Sequence, residues 1–200
     1  MPAVAYKEAG TYKVKFIIAD LDAAMNQGSP RVTAHHSVIV PETPVFETYM
    51  NPSSTNAGGY AGSYMHKTVM PAFALGLIGA FGTEHLLKCS FDGSDRTSDP
   101  LACTCRLMTL SMVFGQSELP SNGFSWSDYV KDKCMGGAQL AAFSLHPELR
   151  GQCVRYWVSD VPSGSSSDFA IVGDFVVGVY ANADTASNAN VGVRPFAFLV

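Results

Sequence analysis

Residues 158–200 contain no Lys, Glu, Gln, Met or Trp, although all five types occur upstream. Other absences narrow the function classes. Acids and bases are scattered singly, the net charge is −4, and there is no basic stripe of the kind that reads a phosphate backbone, so no nucleic-acid partner is expected. The opening stretch MPAVAYKEAGTYKVKF lacks the charged-then-apolar order of a signal peptide. The longest apolar run, residues 69–81, is too short to span a bilayer and is interrupted by Pro71, so no membrane insertion is expected. Five cysteines (Cys89, Cys103, Cys105, Cys134, Cys153) form no CxxC pair and have no histidine at zinc-finger spacing. They read as reduced small hydrophobes, with no metal or other cofactor implied, and as the thiols of a chain folded in a cytoplasm.

The motifs of nucleophilic catalysis are also missing. No GxSxG elbow occurs, and no GKS or GxGxxG context follows the Gly58-Gly59 pair. His66, His85 and His146 fall in separate segments, while the adjacent His35 and His36 would point to opposite faces of a strand. The acids lie mostly in loops without an apolar pocket signal beside them, which does not suit glycoside hydrolysis. The expectation is a protein that is not an enzyme.

With 200 residues and 47% apolar content the chain can bury one sizeable core. Residues 1–18 alternate enough, Tyr12, Val14 and Phe16 against Lys13 and Lys15, to form an N-terminal strand or extension ahead of a domain over 19–200. Asp20 reads as the cap of a short helix through Ala24, closed by turn residues 26–30. Residues 38–40 read as a strand and 51–62 as a loop. Ser63 reads as the N-cap of a helix running to Leu86 with Met65, Val69, Phe73 and Leu77 on one side, in which Pro71 marks a kink or a new first turn. Residues 91–100 form a polar loop, and 105–114 fit helix or strand. Trp126 and Tyr129 fold an irregular stretch back onto the domain. Residues 140–145 predict a strand stopped by His146-Pro147. The bulky segments 156–158 and 193–198 suit two core strands.

Two readings account for the missing residue types. Gly/Ser/Asn-rich surface loops are short of long side chains as a matter of composition. Alternatively, the five types are those that cannot be reached from an asparagine codon ending in a pyrimidine by changing its first two bases, whereas every residue from Ser163 to Val191 can.

The second reading meets a resemblance. The frame YWVSD, FAIV, ASNAN and GVRPFAF, preceded in order by STNAGGYAGSYM, AFGTEHLL, LMTLSMVFG and AAFSLHPEL, resembles the phage tail-associated variable proteins of diversity-generating retroelements. The resemblance implies an α+β, C-type-lectin-like fold, small antiparallel sheets with flanking helices and long loops, over residues 19–200. It places a hypervariable ligand-binding face at 158–191, makes helix 63–86 the long helix across the sheet, and favours a helix leading into a strand over 105–114. It further implies a virion receptor-binding protein, made in the host cytoplasm. Its partners would be a bacterial cell-surface protein or glycan and other virion proteins, with assembly as a homotrimer. A structural virion protein, or a bacterial surface-displayed binding protein of the same fold, are the alternatives. The Glu-Pro-Asn and Trp-Asn-Asp motifs of calcium-dependent lectins are absent, so calcium is not carried over.

Physically, a face of Tyr, Ser, Gly, Asn and Asp has the composition of an antibody paratope. The candidate contacts are Ser166, Asp168, Ile171, Gly173, Asp174, Phe175, Val177, Tyr180, Asn182, Asp184, Asn188 and Asn190, with Phe175 and Tyr180 as anchors. Ile171, Val177 and Val179 fit core-facing strand positions equally well. Trp157, Arg194 and Pro195 are expected as framework, with Arg194 held by a buried carbonyl or acid.

Overall fold

A computed structural model describes residues 13–21, 37–87, 104–116, 119–120, 125–130, 139–151, 154–175 and 178–199. The elements are β1 (Phe16–Leu21), β2 (Ser37–Pro41), β3 (Phe46–Glu47), α1 (Gly59–Gly62), a π-helical turn (Met65–Val69), α2 (Met70–Phe81), β4 (Cys105–Leu107), α3 (Leu110–Phe114), β5 (Tyr129–Val130), α4 (Ala141–Leu145), β6 (Tyr156–Trp157), β7 (Val161–Pro162), β8 (Asp168–Phe175), β9 (Gly178–Thr185), β10 (Gly192–Val193) and β11 (Pro195–Leu199). The fold is α+β.

Among the described residues, one sheet runs β1-β2-β11-β4, a second β3-β10-β6-β8-β9, and β5 pairs with β7. Pairing is antiparallel except between β10 and β6. The apolar runs of the inner strands follow from burial on both faces. Val38, Val40, Tyr156, Val158, Ala170, Val172, Phe196 and Phe198 point into one core, closed by Leu110, Met112, Val113 and Phe114 of α3 and by Phe143 of α4. Their neighbours Ile39, Trp157, Phe169, Ile171 and Ala197 point into the other, closed by Tyr60, Val69, Met70, Ala74 and Leu77. The period-2 alternation of strand side chains thus separates two cores, with helices on both sides of the sheets.

Trp157 is fully buried as expected and donates its indole N–H to Thr48 O at 2.7 Å. Arg194, 1% exposed, is the single residue between β10 and β11 and therefore joins the two large sheets. Its guanidinium donates to the carbonyls of Pro41, Glu42, Leu149 and Arg150 and lies over the rings of Phe143 and Tyr156. β11 is an inner strand of its sheet, flanked by β2 and β4.

Ser63 caps as expected: its Oγ accepts from His66 N–H at 3.1 Å. Pro71 is the second residue of α2, which continues directly from the π-helical turn, so the new turn expected at Pro71 falls where the helical hydrogen-bonding pattern changes. The helix stops at Phe81, not Leu86, because Gly82 takes φ +85, a left-handed value that breaks the helical path. Four further expectations are corrected. Asp20 lies in β1, paired with Val38 across a register shift, rather than capping a helix, so a boundary after residue 18 would cut the strand. Residues 59–62, read as loop, form the turn α1. Residues 105–114 run strand then helix, the reverse of the favoured order. Thr109 Oγ1 accepts from Met112 N–H at 3.1 Å and Asp160 Oδ2 from Leu110 N–H at 2.6 Å, which starts α3 after β4. Residues 141–145 are helical rather than a strand: the buried side chains Leu140 and Phe143 are three apart, a helical spacing, and the element does end at His146.

Trp126 and Tyr129 pack onto the first core, as expected. Cys105 is free and fully buried, and burial pushes its thiol far above the ordinary range. Residues 1–12, the helix and turn expected within 22–30, His35, His36, the loop 91–100, Cys89, Cys103, Cys134 and Cys153 lie outside the described residues.

Candidate binding face

Three stretches distant in sequence meet at one end of the β8–β9 hairpin: residues 51–58, 163–168 and 186–191. Asn51 is the hub. Its N–H donates to Ala186 O (3.0 Å), its Nδ2 to Thr55 O (2.6 Å), and its Oδ1 accepts from Tyr64 N–H (2.7 Å). Asn56 clamps the second stretch: its N–H donates to Ser166 O (3.0 Å) and its Nδ2 to Ser165 O (2.8 Å) and Asp168 O (3.0 Å). Backbone bonds from Ala186 N–H to Ser167 O (2.8 Å) and Thr48 N–H to Val191 O (3.1 Å) complete the frame. Ser54 and Ser187 share a hydroxyl bond of 2.8 Å. Gly58 and Gly59 both adopt positive φ, and at Gly58 a Cβ would come within 3.2 Å of Gly62 Cα.

Each turn is also ordered from within. Ser165 Oγ accepts from the N–H groups of Ser167 and Asp168, and Ser167 Oγ donates to Asp168 Oδ1. Asp184 ties the third stretch down: its carboxylate accepts from Arg155 Nη1 at 2.9 Å and from Asn188 Nδ2 at 3.0 Å on both oxygens. Asn188 Oδ1 in turn accepts from Asn190 N–H at 2.9 Å. Beside the hub, the rings of Tyr49 and Tyr64 lie 5.4 Å apart, inclined at 44°.

Adjoining the second stretch is a shallow cleft of about 350 Å³ lined by Asp128, Pro162, Ser163, Gly164, Ser165, Asp168 and Ala183. Hydrogen bonds from the Ser125 N–H and hydroxyl hold the Asp128 carboxyl below the usual carboxylate range. Among the described residues no group of three or more His, Cys, Asp or Glu is arranged to hold a metal ion.

No protein-family model, curated protein or solved structure matches the chain.

The sequence-derived contacts divide by geometry. Ser166 and Asn190 are exposed, Asp168 and Asn188 half-buried, and all four belong to the three-stretch end. Tyr180, Asn182 and Asp184 alternate along one face of β9 and are half-buried. Asp174 and Phe175 lie at the far tip of the hairpin, paired with Val179 and Gly178, six and seven residues and roughly 20 Å or more from Asp168. Val177 lies outside the described residues. Two candidates are corrected: Ile171 is 2% exposed in the second core, and Gly173 is buried opposite Tyr180. Ile171 enters the second core while its neighbours Ala170 and Val172 enter the first, so both faces of β8 are covered there.

Asn182 and Asp184 also act on the strand that carries them. Among the described residues β9 is the last strand of its sheet, and of its amides that point away from β8, Ala181 donates to Pro120 O, Ala183 to Asn182 Oδ1 and Thr185 to Asp184 Oδ1, the last two at 2.8 Å. Side-chain oxygens therefore occupy donors that would otherwise template another strand. Sequence reasoning missed residues 51–58, Tyr49, Tyr64 and Arg155. The polar, Gly-containing composition of 51–62 signals a loop, but nothing local signals what it joins.

Proposed function

We propose that this chain is a receptor-binding protein of a phage virion with a C-type-lectin-like fold, attaching to a bacterial surface ligand through a diversified face within residues 158–191. The observation that carries the reading is how the face is framed. Residues 163–168 and 186–191 are held by backbone hydrogen bonds, Asn51 N–H to Ala186 O among them, by the Asn56 side chain from outside the segment, and from within by the side chains of Ser165, Asp184 and Asn188, with no bond from the side chain of Ser166 or Asn190 among those that fix the turns. Exposed side chains such as Ser166 and Asn190 can therefore change identity while the main chain keeps its course. A variable site needs that separation of frame from contact, and loops on a rigid scaffold supply it.

Two further features support the fold assignment. α2 packs Met70, Ala74 and Leu77 across Cys105, Leu107 and Ala197 of the first sheet, and the C-terminal strand β11 lies between β2 and β4. Many copies on one particle would convert weak single-site contacts into firm attachment.

The test is competition. Excess purified chain should coat host cells and block adsorption of the phage, and Ser166→Arg with Asn190→Arg should abolish coating without lowering the melting temperature. A chain that neither coats cells nor blocks adsorption overturns the proposal.

A further inference from the structure

Tyr49 lies between buried Thr48 and buried Met50, so strand-like alternation turns its ring away from the core. It meets Tyr64 with ring centroids 5.4 Å apart, and both residues are half-buried. Mutual contact fixes the pair, so little rotamer freedom remains to be lost when a ligand arrives. Asn51 connects this platform to the binding face, bonding Tyr64 N–H on one side and Ala186 O on the other.

The surrounding chemistry discriminates among ligands. The fully exposed side chains of the three stretches are hydroxyl, carboxamide or small apolar groups, Ser54, Ser166 and Asn190 among them, and the one acid of the stretches, half-buried Asp168, accepts from Ser167 Oγ. The exposed charges nearest the two tyrosines in sequence, Glu47 and Lys67, are opposite in sign and set up no net field for an ionic ligand. Dense donor-acceptor groups near two mutually inclined tyrosine rings match a sugar: its hydroxyls exchange bonds with Ser and Asn, and its C–H face, weakly electropositive, rests on the negative face of one ring. Each such hydrogen bond contributes little net of water, which fits weak sites multiplied by copy number.

We infer that the ligand is an uncharged glycan and that Tyr49 and Tyr64, outside the diversified segment, form a constant platform on which one pyranose ring stacks. The inference rests on the binding reading above and supplies its ligand class. The probe is a printed array of bacterial polysaccharides and lipopolysaccharides, each present intact and after periodate oxidation, which opens rings bearing vicinal diols. The expected result is capture of intact glycans and loss of capture after oxidation. Tyr49→Ala and Tyr64→Ala should each weaken capture about tenfold, whereas the Phe variants retain it. Tyr64→Leu, which keeps apolar bulk but removes the ring, serves where Ala perturbs folding. The inference is overturned if no glycan is captured, if capture survives oxidation, or if stably folded ring-less variants bind like the parent. A chain that coats host cells through a protease-sensitive ligand, yet captures no glycan, defeats the ligand class and leaves the binding reading standing. A chain that does neither defeats both.

Discussion

Replacing Arg194 with Met should destabilise the fold by about 3–5 kcal/mol, because buried carbonyls lose their donors at about 1–3 kcal/mol each, partly offset by no longer burying a guanidinium. Met preserves much of the stem volume but has no donors. In the parent, Nε donates to Pro41 O and Nη2 to Glu42 O, both at 2.9 Å, while Nη1 donates to Leu149 O at 2.8 Å and Arg150 O at 3.2 Å. Bonds to a charged donor contribute about 1.5–3 kcal/mol each, so four would total roughly 6–12. Part of that gross gain offsets the several kcal/mol needed to bury the guanidinium, which Met does not incur. The net loss is a large fraction of the roughly 5–15 kcal/mol that stabilises a domain. At about 2–4 °C per kcal/mol, the melting temperature should fall by about 6–20 °C. Arg194→Lys should fall between, because a single ammonium cannot reach carbonyls on so many sides. Urea and calorimetric unfolding measure both variants. An Arg194→Met protein within about 1 kcal/mol of the parent would refute the claim that this residue clamps the junction between the two large sheets.

Gly192→Ala should cost about 1–3 kcal/mol by urea unfolding, because the added Cβ would lie 2.6 Å from Pro44 Cβ and 2.9 Å from Arg155 O. Unchanged stability would mean that β10 and β6 are less closely apposed. Asn182→Val combined with Asp184→Val uncovers two outward amides of β9, and light scattering should then show self-association beyond that of the parent. A double variant with the parent's oligomeric state would remove the edge-shielding role. Ile171→Ala should cost about 2–5 kcal/mol, whereas Ser166→Ala and Asn190→Ala should stay within about 0.5 kcal/mol of the parent. Equal losses at all three positions would contradict the division between core and contact.

Much of the framework was legible because single residues announce it. Trp157 is too large and apolar to leave in water, Arg194 beside Pro195 in an apolar run needed carbonyls, and Ser63 ahead of a helical stripe could cap it. The region 105–114 was not legible, since its short apolar run fits both periods and the deciding contact, Asp160 with Leu110 N–H, spans 50 residues. Residues 140–145 misled for a similar reason: one buried aromatic in a short apolar run carries no period of its own. The candidate face was half legible. Its composition identifies the turns around Ser166 and Asn190, but the Asn56 clamp on Ser165 crosses 109 residues, and Ile171 reads as contact or core until a core is seen on each face of β8.

The central claim is a constant frame carrying a varied face, and the most direct measurement is the gene's sequence in many isolates of the same phage or strain. The account predicts coding differences concentrated at adenine-derived codons between Ser163 and Val191, with Ser166 and Asn190 among the most varied. Asn51, Asn56, Trp157 and Arg194 should stay fixed. Differences spread evenly along the chain, or a 163–191 stretch less variable than the rest, would contradict it.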